Sequence, residues 1–381
     1  MALKASKRGA VPPFIVMDVM RAANARQAAG EKVLHLEVGQ PGSSAPEPVL
    51  AAARRALEQD LLGYSEALGL PELRAAIACH YLDSQGVVVD PARIAVTPGS
   101  SGGFLLTFLA AFDPGDRVAL AAPGYPAYRN ILEALGLEPV ILEADLAHRF
   151  QPTPELLEAA GPLDGLIVAS PSNPTGTMLD EASLRALLSF CDARGIRVIS
   201  DEIYHGITYG QAATTAVALS PHAVVVNSFS KYFSMTGWRL GWLVLPEDLL
   251  RAVECLGQNL FIAASTLSQV AAVAAFDCKA DLEAKVRHYA RNRAVLLREL
   301  PKAGFDRLAP ADGAFYIYAD VGALTNDSTA FCQRMLREIN VAATPGVDFD
   351  RARGHRFVRF SFAGPEASIA EAAERLRVWL G

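Results

Sequence analysis

The chain has 381 residues and a formal net charge of −6, with 51% of its residues hydrophobic and 20% charged. That length asks for two domains, or one large α/β domain with an appendage, and the balance is that of an ordinary globular chain. The acidic sign argues against a nucleic-acid partner, which needs a basic face, and no apolar run approaches the ~20 residues of a membrane helix.

From the N-terminus, Lys4, Lys7 and Arg8 precede an apolar stretch that Pro12 and Pro13 break and Asp18 ends. It is too short for the core of a signal peptide. RIAVTPGSSGGFLLTFLAAF (93–112) reads as a strand, a Gly-Ser turn and a helix, and DRVALAAPGYPAY (116–128) as a strand ending in a proline-rich turn. The clearest unit spans 165–201. GLIVAS is a strand of the buried type, PSNPTGTM a turn, and DEASLRALLSFCDARG sets Leu184, Leu187, Leu188 and Cys191 on one helical stripe. Asp180 is predicted as the N-cap and Gly195 as the stop, with IRVISD as the next strand. A β-α-β crossover of this kind implies a parallel sheet. AVVVNSF (223–229), apolar and β-branched, reads as a further strand buried on both faces.

After about residue 276 the character changes to a long charged helix (281–300), strand-like AFYIYAD (314–320), a helix (328–339) and RFVRFSFA (356–363). The expected fold class is α/β, a mostly parallel central sheet with helices on both faces, plus a smaller α+β domain. Residues 46–276 are expected to form the large domain, and 1–45 with 277–381 the small one. The five cysteines are odd in number and lack C-x-x-C spacing, and the seven histidines form no H-x-x-x-H pair. Neither a disulfide framework nor a metal cage is expected, and a reducing cytoplasm is the simpler setting.

Ligands of open parallel sheets bind beyond the carboxyl ends of the strands. There the chain places Asn173 after GLIVAS, Asp201 and Tyr204 after RVIS, Lys231 after AVVVNSF, GSSGG after RIAVT, and Tyr125 after RVALAA. Each has a plain structural reading: Asn before Pro forms turns, Asp caps them, tyrosines pack, and a lone lysine is usually solvated. Their coincidence at one edge suits an aromatic phosphate ester carrying an aldehyde, pyridoxal phosphate. A lysine can form its Schiff base, an Asp can face the pyridinium nitrogen, and helix-terminal amides can take the phosphate. GSSGG lacks a Walker lysine and is not a nucleotide P-loop.

VGQPG near residue 40, GYSEALGLPELR, TPGSSGG, PGYPAY, SPSNPTG, SDEIYHG, SFSKYFSMTGWRLGW and VRFSFA follow one another in this order. In these motifs the chain resembles, over essentially its whole length, the class I/II aminotransferases of pyridoxal-phosphate fold type I. The resemblance implies that Lys231 is the Schiff-base lysine and that Asp201 faces the pyridine nitrogen. It implies that Asn173 and Tyr204 bond the ring hydroxyl, that Tyr125 stacks on the ring, and that Ser100, Ser101, Ser228 and Arg239 cradle the phosphate. Tyr64 would reach the phosphate of a neighbouring subunit, which implies a homodimer with shared sites. Arg359 would clamp the substrate α-carboxylate, with a backbone contact from Gly39.

The implied activity moves an amino group between an L-amino acid and a 2-oxo acid in a ping-pong cycle. A C–S β-lyase of the same fold is the alternative, and a non-catalytic pyridoxal-phosphate sensor a more distant one. Such sensors usually carry an N-terminal DNA-binding domain, and few residues precede VGQPG. Some aspartate-using relatives carry a lysine in the phosphate turn, where this chain has Ser101, and no second cation is evident for a distal carboxylate. Neutral substrates, aromatic or aliphatic, are therefore expected. Phe14, Ile15 and Val16 read either as an apolar lid or as ordinary N-terminal packing.

Overall fold

The computed structural model describes residues 3–381. Seven strands form the main sheet in the order Ile94–Thr97, Gly241–Val244, Val224–Ser228, Arg197–Asp201, Gly165–Ala169, Arg117–Ala122 and Glu138–Glu143. From Val224–Ser228 to Glu138–Glu143 all neighbours pair in parallel, as the β-α-β unit predicts. Gly241–Val244 runs antiparallel to both of its neighbours. No sequence signal marked this strand. The segment joining it to Val224–Ser228 holds only the short 3₁₀ turn Thr236–Trp238, with no helix to carry the chain across the sheet.

Both faces are covered, so successive side chains of one strand enter different cores. Leu166, Val198 and Val225 pack on one face, and Ile167, Ile199 and Val226 on the other. The predicted stripe of Leu184, Leu187, Leu188 and Cys191, on the helix Glu181–Asp192, closes the first core. Phe104 and Phe108 of Gly99–Ala111, with Leu249 and Val253 of Glu247–Leu260, close the second. The caps are as read. Asp180 accepts a hydrogen bond from Ser183 N at 2.7 Å, and Gly195 has φ 70°. GSSGG departs from the reading. It is the first turn of the helix Gly99–Ala111, and only Gly99, at φ 71°, keeps a turn conformation.

The C-terminal segment folds as helix Lys279–Glu299, strand Tyr316–Asp320, helix Ser328–Ile339 and strand Phe357–Ser361. Its antiparallel sheet has the order Thr344–Pro345, Phe357–Ser361, Tyr316–Asp320, Arg307–Leu308. The N-terminal arm joins it, because Leu34–His35 pairs in parallel with Val341–Ala342. Leu36, Phe305, Phe315, Phe360 and Leu376 belong to a separate apolar core there. No described helix is long and apolar enough to cross a membrane.

Candidate active site

Strand register brings the polar residues together. Ala169 pairs with Asp201, and Asp201 with Val226, so two parallel strands end level while the third runs on to Ser228. Beyond that edge lies a cavity of about 220 Å³. Gly39, Ser100, Ser101, Tyr125, Asn173, Asp201, Tyr204, Lys231, Arg239 and Arg359 all line it. Two residues of the predicted set do not. Tyr64 is 86% exposed and lies outside this cavity. Ser228 is buried at the end of its strand, where its hydroxyl donates to Leu240 O at 2.9 Å, and Ser230, 2.9 Å from that hydroxyl, faces the cavity instead.

Lys231 is half-buried and its Nζ donates to Gly39 O at 2.5 Å. Burial, then the charges of Arg359 and Arg239, pull its amine down to about 8, against the attraction of Asp201. Glycine at residue 39 lets the backbone pack directly against Tyr316. A Cβ there would lie 1.9 Å from Tyr316 Oη. Asp201 is buried, and burial pushes its carboxyl up to about 6 despite donation from Tyr128 Oη and from Ile203 N, the latter at 3.1 Å. Its carboxylate has no ion-pair partner within 4.0 Å among the described residues.

Arg359 is 3% exposed, yet among the described residues no carboxylate pairs with it. Nη1 donates to Asn173 Oδ1 at 2.8 Å, Nη2 donates to Glu37 O, and Nε is buried without a partner. The guanidinium lies 4.4 Å from the centre of the Tyr316 ring. A buried cation held by neutral acceptors is suited to an incoming carboxylate. At the far wall, the helix Gly99–Ala111 begins at Pro98 without a side-chain cap, leaving its first N–H groups free for an anion. Arg239, in the left-handed region at φ 50°, is folded against that turn. A Cβ on Gly99 would meet its Nη2 at 2.4 Å.

Besides Ser230, Val38 and Ile203, the sequence reading does not single out Tyr128, Tyr316 or Met17. Tyr128, inside the quoted PGYPAY, donates to Asp201. Tyr316, within strand-like AFYIYAD, lies 2.7 Å from Tyr204 Oη through its own hydroxyl. Met17 lines the cavity beside Val16. Of the expected lid, Val16 reaches the cavity and Phe14 stacks on Tyr125 at 5.8 Å, while Ile15 is not part of the wall.

The model of the family described as "Aminotransferase class I and II" matches residues 31–376. A valine–pyruvate aminotransferase of Mycobacterium tuberculosis (strain ATCC 25618 / H37Rv) is 55% identical over 378 residues, covering 98% of this chain and 97% of the relative. A (5-formylfuran-3-yl)methyl phosphate transaminase of Methanocaldococcus jannaschii is 33% identical, with 96% of each chain covered. The crystal structure of an aminotransferase from Mycobacterium tuberculosis superposes with a TM-score of 0.98 at 53% identity, covering 100% of this chain and 99% of that one. The chain belongs to the class I and II aminotransferases, pyridoxal-phosphate enzymes of fold type I that transfer an amino group between an amino acid and a 2-oxo acid.

Proposed function

We propose that this aminotransferase acts on L-amino acids with neutral side chains, with L-valine and pyruvate as the first pair to test. The observation that carries this is the charge inventory of the cavity. Among the described residues its lysine and arginines are Lys231, Arg239 and Arg359. One is the anchor, one suits the phosphate and one the α-carboxylate, so none is left for a second carboxylate. Val16, Met17, Val38 and Ile203 supply apolar wall instead. The name of the Mycobacterium tuberculosis relative, a valine–pyruvate aminotransferase, supports the same choice.

The donor set fits pyridoxal phosphate. A buried carboxyl lacking a cation, an uncapped helix N-terminus beside an arginine, and a lysine with a lowered pKa are the three complements that this group requires. When bound, it supplies an aldehyde to take the amino group and a conjugated ring to hold the electrons of the Cα–H bond. Ser100, Ser101 and Arg239 hold its phosphate, with Ser228 acting through Ser230. Asp201 holds the ring nitrogen, Asn173 and Tyr204 the ring hydroxyl, and Tyr125 the ring face. Lys231 anchors the group at rest. Its amine, once free, takes the substrate Cα proton and carries it onward, and a pKa near 8 suits an amine that must both accept and release a proton near neutrality. Arg359 presents a planar fork to the α-carboxylate, and the Gly39 backbone contacts the same group.

Two apolar cores, which exchange a few residues at the boundary (Ala45, Cys278 and Leu282 in one, Tyr204 and Ile207 in the other), support a large cofactor-binding domain of about residues 46–276 and a small domain of 1–45 with 277–381. We further propose that the enzyme works in the cytoplasm as a homodimer with shared sites. Tyr64, 86% exposed, and Leu61, 97% exposed, are suited to contact a second chain, where Tyr64 would reach the partner's phosphate.

The reading is tested with a panel of amino donors against pyruvate and 2-oxoglutarate. L-Valine is expected to convert the visible absorbance of the cofactor to that of its amino form, and L-aspartate to leave it unchanged. A preference for L-aspartate overturns the neutral substrate, and pyruvate release without conversion overturns transamination in favour of the lyase.

A further inference from the structure

A second cavity, of about 320 Å³, lies between the antiparallel sheet and the loops after Arg117–Ala122 and Glu138–Glu143. Its size falls at the lower end of small-molecule sites. Its position relative to the active site is unusual. Tyr125, Tyr316 and Arg359 line the first cavity, while Pro123, Tyr318 and Phe357, each two residues away on the same segment, line the second. Three stretches of chain are thus shared between the two.

The chemistry of the second cavity is that of an anion site with an apolar floor. Tyr318 is 1% exposed and its ring is fixed by stacking on Phe357 at 4.7 Å and by an edge contact to Phe150 at 6.1 Å. Its Oη is buried and has no hydrogen-bond partner. Such an orphan is destabilising unless a ligand or water meets it. Arg356 and Arg307 face the same space and share one carboxylate, Asp320, at 3.3 and 3.9 Å. The other charged side chains are engaged elsewhere. Arg353 pairs with Asp350 at 3.0 Å and is spent on Ala122 O and Ala144 O, and Asp145 is turned to His148 at 2.7 Å. Two guanidiniums, Arg356 and Arg307, thus face the cavity with a single carboxylate between them. Arg356 is seated against Gly322, where a Cβ would stand 2.6 Å from its Nε. Leu146, Phe150 and Leu308 complete the apolar wall.

We propose that this cavity is an effector site for a small carboxylate with an aromatic or branched apolar body, coupled to the active site through the three shared segments. The carboxylate meets Arg356 and Arg307, and the Tyr318 hydroxyl donates to it.

Benzoate is the probe, titrated into the holoenzyme by calorimetry while the visible absorbance of the cofactor reports on the active site. Two binding classes per chain are expected, one silent in the absorbance. Tyr318→Phe and Arg356→Gln, each checked by thermal melting, are expected to weaken the silent class about tenfold or more and to leave the other unchanged. Benzoate competing at Arg359 is overcome by saturating both the amino donor and the 2-oxo acid. The effector action is instead a change in kcat that persists at saturation in the wild type and disappears in both variants. A single binding class, or two classes indifferent to both variants, overturns the site. Silent binding with an unaltered kcat overturns the coupling. Benzyl alcohol, which has the ring without the charge, is expected to miss the silent class, and equal binding of it overturns the anion assignment.

Discussion

Lys231 and Asp201 are both held away from their ordinary ionisation by burial, in opposite directions. In the unfolded chain the Lys231 amine keeps its proton to 10.5, and in the folded chain to about 8. Between those values the unfolded state binds more protons, so this residue's penalty on stability is full below 8 and is relieved as the pH rises towards 10.5. Lys231→Met is therefore expected to raise the melting temperature of the cofactor-free protein at pH 7 and to have little effect above pH 10. Melting curves across that range check it, and an equal gain at both ends contradicts it. In the holoenzyme, Lys231→Ala is expected to abolish turnover and the visible absorbance together. Tyr128→Phe removes one charge-assisted hydrogen bond from Asp201, worth about 1.5–3 kcal/mol. A fall of about one to two decades in kcat/KM is expected, with the Asp201 carboxyl moving further above 6. An unchanged pH–rate profile would show that the hydroxyl does not position this carboxylate.

At the scale of elements, the helix Ile15–Ala28 has no capping side chain of its own. Its cap comes from Asp348, whose carboxylate accepts from Ile15 N at 3.0 Å and Val16 N at 3.2 Å across 333 residues of sequence. This contact holds Val16 and Met17 at the cavity wall. Asp348→Ala is expected to cost about 1–2 kcal/mol, as cap removals do, and to expose the N-terminal arm to protease. A raised KM for L-valine with kcat nearly kept would follow from the loosened wall. Gly99→Ala forces a Cβ to within 2.4 Å of Arg239 Nη2 in a backbone conformation that L side chains resist. Cofactor affinity, read by equilibrium dialysis, is expected to fall more than thermal stability does.

At the scale of the molecule, the proposed shared-site dimer makes its own prediction. Mixing inactive Lys231→Ala with a Tyr64→Ala variant weak in cofactor binding forms hybrids in which one site regains both residues. Partial recovery of activity after mixing and re-equilibration supports the dimer. A chain that sediments as a monomer with full activity refutes it.

Local chemistry was enough to determine much of the fold. The leucine stripe of 184–191, the Asp180 cap, the Gly195 stop and the β-branched strands are local patterns, and each appears where its period and flanking residues place it. The carboxyl-edge residues Asn173, Asp201 and Lys231 were legible for the same reason, because a parallel sheet aligns the ends of its strands. Tertiary structure alone decided what depends on approach between distant segments. It brought Tyr316 to Tyr204, Asp348 to Ile15, and Glu37 O to Arg359, and it turned Ser230 rather than Ser228 towards the cavity. It also made Gly241–Val244 antiparallel, since no crossover helix precedes it. Periodicity records which face of an element is apolar, and it carries no information about which element will cover that face. That is why the polar residues at the strand ends could be read along the chain, whereas the Asp348 cap, the place of Tyr316 and the second cavity came only from the packing.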